Sequence, residues 1–137
     1  MDTQELDYHK LVSLSADIGA LMLRNGAEIY RVETSVGAIL SAYGRRENCV
    51  FAIPSFLLVS IKDDKDQPIT QGVRICYRTT DLVKIDSLNH LCRQISAQKL
   101  DLSSVGAEID RIRAIHTYSP LLQILMSGMI GCAFTLF

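Results

Sequence analysis

The sequence predicts an α+β fold: an N-terminal helical hairpin, a small antiparallel sheet of about three strands, two further helices and a C-terminal transmembrane helix. Three observations predict it. Apolar residues recur at helical spacing as far as Gly44 and again from Leu82. Between these stretches, residues 49–77 are rich in β-branched and aromatic side chains. The last stretch, Ser119 to Phe137, contains no charged residue.

The first helix is marked by Asp2 and Glu5 at capping-box spacing, followed by Tyr8, Leu11, Leu14, Ile18, Leu21 and Met22 on one stripe. Gly26 breaks it. A second helix follows at once, with the stripe Ile29, Val32, Val36, Ile39, Leu40 and Tyr43, and Gly44 ends it. Cys49–Ile53 and Phe56–Ile61 read as strands around a bend at Pro54, which has no N–H to give to a ladder. The polar run Lys62–Gln67 reads as a hairpin connection to a third strand over Ile69–Tyr77. It lacks the central Gly and terminal Glu of a calcium loop. Thr79-Thr80-Asp81 caps a third helix with Leu82, Ile85, Leu88, Cys92 and Ile95 inward, and a fourth turns Leu102, Val105, Ile109 and Ile112 inward.

Composition narrows the function. The net charge of −1 gives no basic face for nucleic acid. Cys49, Cys76, Cys92 and Cys132 form no CxxC pair, and His9, His90 and His116 are scattered, so no metal site and no cofactor are expected and the cysteines read as buried packing residues. Ser55, Ser60 and the histidines can be drawn as a triad, but no nucleophile elbow supports one, so no catalytic residue is assigned. The N-terminus has no basic stretch leading into an apolar run and is no signal peptide.

Hydrophobic residues make up 48% of the chain and mean hydropathy is +0.19, with much of the excess at the C-terminal end. Ser119 and Pro120 suit a helix start. A helix from Ser119 to Phe137 would span about 28 Å, close to a hydrocarbon core of roughly 30 Å. The expected division is therefore a cytoplasmic domain over 1–118 and a first membrane helix over 119–137, oriented by Arg111 and Arg113. Ser127, Gly131 and Thr135 recur every four residues and would let other spans approach. The run reaches Phe137 without a polar flank, so the polypeptide is expected to continue. The alternative for this segment is a core helix of a soluble protein.

The stretch Gly26-Ala27-Glu28-Ile29-Tyr30-Arg31-Val32-Glu33 resembles the GAExxRVE signature of the threonine/serine exporter family. The surroundings agree in order: an apolar helix before it, then the Gly44 break, Pro54-Ser55, the helix start Thr80-Asp81-Leu82-x-Lys84, and Tyr118-x-Pro120 before the apolar run. The resemblance implies a bacterial inner-membrane exporter of small polar metabolites, either threonine and serine or C4-dicarboxylates such as succinate. It also implies a second, small membrane subunit as partner in the two-subunit form. Glu28, Arg31 and Glu33 are then the candidate substrate-binding or coupling residues, and Gly26, Ala27 and Val32 the structural part of the signature.

Helical geometry by itself says less. Glu28 and Arg31 share one edge of the apolar stripe and can pair, while Glu33 lies on the opposite edge. Asn25 and Glu28 also have capping-box spacing. A helix cap with a surface ion pair is thus the competing reading; if functional, Arg31 would hold a carboxylate and the glutamates an ammonium or a proton. Arg31 is expected where the two N-terminal helices meet, and Asp17 is expected at an edge or paired with Arg24 or Arg31. Beside the exporter stand two other functions, a membrane-tethered hydrolase-like enzyme and a ligand-sensing or assembly module.

Overall fold

The computed structural model describes residues 6–115 and 119–136. Its elements run α1 (Tyr8–Arg24), α2 (Ile29–Ala42), β1 (Asn48–Ile53), β2 (Phe56–Lys62), β3 (Pro68–Arg74), α3 (Leu82–Gln98), α4 (Leu102–Arg113) and α5 (Pro120–Thr135). The α+β order expected from the sequence is therefore present, with a three-stranded antiparallel sheet. The Asp2–Glu5 capping box lies outside the described residues. Helix α1 instead starts after Asp7, whose carboxylate accepts from the Lys10 N–H at 3.1 Å. Asp81 and Asp101 cap α3 and α4 in the same way.

Helix α1 is the centre of the molecule. Leu11, Val12, Ala16, Ile18, Met22 and Leu23 are all buried, and it packs against α2, the sheet, α3 and α4. A helix apolar on so many sides is stable only inside. The sheet lays Ala52, Leu57, Val59 and Ile61 on this core, with Ile53 opposite Phe56 across the Pro54-Ser55 turn. The third strand ends at Arg74, short of the expected Tyr77, because its partner β2 begins at Phe56, opposite Arg74. Helix α3 packs on α2, and α4 on α1 and α3. The hydroxyl of Tyr43, at the end of α2, donates to the Leu100 carbonyl between α3 and α4; burial pushes that phenol up, with the nearby Asp101 adding to it.

Some expectations need correction. Leu82 is exposed, because the first turn of α3 projects beyond the core, while Leu91 is buried in its place. Of the four cysteines only Cys92 is buried; Cys49 points outward from β1, and Cys76 and Cys132 are also exposed. Helix α5 covers 16 residues, not the whole of Ser119–Phe137. Ser119 stands outside it as the cap, accepting from the Leu122 N–H at 3.3 Å, and Leu136 closes the other end. At this length it spans about 24 Å. No helix among the described residues is long and apolar enough to cross a membrane. No residue of α5 is buried, and among the described residues it packs against no other helix or strand, so Leu121, Leu125, Met129 and Phe134 are exposed.

Candidate functional site

The Gly26–Glu33 stretch forms the joint between α1 and α2. Gly26 has φ +96°, a conformation that L side chains rarely adopt. It closes α1 in a Schellman pattern: the Gly26 N–H donates to the Leu23 carbonyl at 3.2 Å and the Ala27 N–H to the Met22 carbonyl at 2.9 Å. The segment that follows β3 then folds across this joint. The Thr79 N–H donates to the Arg24 carbonyl at 2.7 Å, the Asp81 N–H to the Asn25 carbonyl at 3.1 Å, and the Arg78 Nε to the Leu23 carbonyl at 3.1 Å. A Cβ at position 26 would lie 3.0 Å from the Thr79 carbonyl oxygen, so close approach as well as φ requires glycine. Ala27 is buried beneath this crossing, and Arg78 also reaches its carbonyl at 3.4 Å.

The capping box between Asn25 and Glu28 does not form. Asn25 belongs to the end of α1, where its side-chain amide donates to the Leu21 carbonyl at 2.7 Å. Glu28 occupies the cap position of α2 with extended backbone but makes no side-chain cap bond. The turn at Gly26 separates the two residues: Asn25 faces back along α1, away from the first N–H groups of α2.

The three polar residues of the signature divide. Arg31 Nε lies 3.9 Å from Glu28 Oε2, and both side chains are well exposed. A pair of this kind contributes about 0.5 kcal/mol. Glu33 instead accepts the Ala52 N–H of β1 at 2.9 Å. Its carboxylate fills a backbone donor on the sheet's edge strand, a group that would otherwise invite another strand. Val32 between them is fully buried. Asp17 pairs with Arg113 of α4 at 3.6 Å, and with neither Arg24 nor Arg31.

Arg31 opens toward α3, not the junction of α1 with α2. It lines a groove of about 590 Å³ between α2 and α3, a volume within the range of small-molecule sites. From α2 come Tyr30, Arg31, Thr34, Ser35 and Ala38; from α3 come Asn89, Cys92, Arg93, Ser96 and Ala97. Both of its charged residues are arginines, and no acid lines it. Burial pushes the Cys92 thiol up to about 12, so it is a packing group rather than a nucleophile. Arg93 escaped the sequence reading. Its only signal is a place one position from Cys92 on α3, and nothing local says that this face meets α2.

Among the described residues, no group of His, Cys, Asp and Glu is arranged to hold a metal ion. His116 lies outside them, and His9 and His90 are exposed. Ser60 is hydrogen-bonded to Thr70 across the sheet at 2.7 Å.

Over residues 13–137 the sequence matches the family described as "Putative threonine/serine exporter". No curated protein and no solved structure matches it.

Proposed function

This chain belongs to the threonine/serine exporter family, and from that premise we propose that it serves a membrane exporter of small polar metabolites, with α1–α4 forming a cytoplasmic body and α5 entering the bilayer. Family membership supports a role in transport. The observation that carries the finer reading is α5: it has no charged residue and no buried residue, and among the described residues it packs against no other helix or strand, with Gln123 near its start beside the 79–84 segment. Exposed apolar surface on this scale is unfavourable in water at about 25 cal/mol per Å², and lipid or neighbouring helices would remove that cost. Arg111 and Arg113, one element upstream, favour the cytoplasmic side for the body.

The substrates proposed are threonine and serine, or C4-dicarboxylates if the chain works with a second, small membrane subunit. Arg31 is the proposed contact for a substrate carboxylate, with Glu28 close enough to receive an ammonium or a proton. Glu33 is the weaker of the three, since its carboxylate is engaged by β1.

The test is export of threonine, serine and succinate from cells carrying the complete system. Arg31→Lys should lower export although the charge is kept, because an ammonium lacks the planar two-pronged donor set of guanidinium. Stability should change by no more than about 0.5 kcal/mol, as for most surface substitutions. Normal export by that variant would reduce Arg31 to a scaffold residue. Orientation is tested with a membrane-impermeant maleimide: Cys49 and Cys76 are exposed on the body and should label in inside-out vesicles only. Labelling in right-side-out vesicles would refute a cytoplasmic body.

A further inference from the structure

We propose that the groove between α2 and α3 is a binding site for a small organic anion, with Arg93 as its second cationic contact beside Arg31. The preference for an anion rests on the side chains alone; the choice of a metabolite as occupant rests on the exporter reading above.

Arg93 makes no ion pair and no hydrogen bond among the described residues, and Arg31 holds only the loose 3.9 Å contact to Glu28. Two guanidinium groups therefore reach one groove with most of their donors unused. Uncompensated like charges at one site favour whatever anion neutralises both. Ser35, Ser96 and Asn89 add uncharged donors, whereas the Thr34 hydroxyl already donates to the Tyr30 carbonyl at 2.9 Å. Ala38, Ala97 and the Cys92 side chain make a floor suited to a short hydrocarbon body, and the exposed ring of Tyr30 stands at the rim.

The missing acid sets the selectivity. A zwitterionic amino acid needs an acceptor for its ammonium, and no carboxylate lines the groove; Glu28, which contacts Arg31 at 3.9 Å, stands outside the lining and could serve an ammonium only at the Arg31 end. A dicarboxylate meets two cations with two anions and leaves no charge unpaired, so it should bind better than threonine.

The experiment is calorimetric titration of the complete exporter, purified in detergent, with succinate, threonine and inorganic phosphate. Succinate should bind saturably at about millimolar concentration, and threonine more weakly. Arg93→Gln should weaken succinate by about tenfold or more, the scale of one lost charge-assisted contact. Ala38→Leu should abolish binding by filling the floor without touching either charge. Arg46→Gln, exposed and outside the groove, should leave binding unchanged. The proposal is overturned by absence of saturable succinate binding, by phosphate or threonine binding as tightly as succinate, or by binding that survives either Arg93→Gln or Ala38→Leu. Because the two variants act by charge and by volume at separate exposed positions, misfolding of one leaves the other decisive. Export without succinate binding would sink the groove alone. Saturable, Arg93-dependent binding in a protein that exports nothing would uphold the groove and sink the exporter reading.

Discussion

Replacing Gly26 with alanine tests how the joint between α1 and α2 is built. A side chain held at positive φ costs about 1–2 kcal/mol. Alanine also restricts the unfolded chain, which returns about 0.4–1 kcal/mol. The backbone part is therefore a net loss of roughly 0–1.6 kcal/mol. Gly44 provides the control. It has φ +84° and closes α2 with the same Schellman pattern, but a Cβ there would meet nothing within 4 Å. Gly44→Ala should thus show the backbone part alone. At position 26 the new methyl would also press on the Thr79 carbonyl at 3.0 Å. That carbonyl belongs to the segment tied down by the Thr79 and Asp81 N–H groups, so it cannot retreat without straining those bonds. Overpacking of this kind adds about 1–3 kcal/mol. Gly26→Ala should lose roughly 1–4.6 kcal/mol in all, and each kcal/mol should lower Tm by roughly 3–5 °C for a chain of this size. The assay is thermal melting of both variants under identical conditions. If Gly26→Ala melts no lower than Gly44→Ala, the crossing of the 78–81 segment does not constrain the signature glycine.

Three further outcomes are expected. Glu33→Ala should lose about 1–2 kcal/mol by leaving the Ala52 N–H without its carboxylate, while Glu33→Gln, which keeps an acceptor oxygen, should lose less; equal losses in chemical denaturation would contradict the contact. Tyr8 donates to Asp64 at 2.6 Å, and that bond holds the phenol above its ordinary value and the carboxyl below its own, with Arg45 assisting the latter. The stabilisation from Asp64 is present above the ordinary carboxylate value and lost as pH falls through the lowered folded one; that from Tyr8 is present below the ordinary tyrosine value and lost as pH rises through the raised one. The Tm difference between wild type and Tyr8→Phe should therefore be widest between those limits and shrink at both ends, and a difference independent of pH would refute the bond. Alkylation followed by peptide mass mapping should modify Cys49 and Cys76 readily and spare Cys92 until the body unfolds, since burial both hides its thiol and pushes its pKa to about 12; equal rates would contradict its burial.

Much of the fold was legible because its signals are local. The breaks at Gly26 and Gly44, the caps at Asp81 and Ser119, the inward stripes of α2 and α4, and the contact of Glu28 with Arg31 each depend on residues within a turn or two of one another. The geometry of one helix or one turn settles them before any packing occurs. The uncharged run from Ser119 was equally plain, because the chain's composition carries it.

Tertiary structure decided what each exposed or edge residue does. Asn25 and Glu28 have the spacing of a capping box, yet the φ of Gly26 and the crossing of Thr79 and Asp81 assign Asn25 to the preceding helix. Glu33 looked like a partner for substrate and meets a strand nineteen residues away; Asp17 meets Arg113 across the body. Cys49 lies on a strand whose two faces differ in burial, and only the side on which the helices pack distinguishes them. Arg93 joins Arg31 solely because α3 docks on α2. Periodicity tells which face of a helix is apolar, but not which other element that face will meet, and a groove between helices exists only once the core has brought them together.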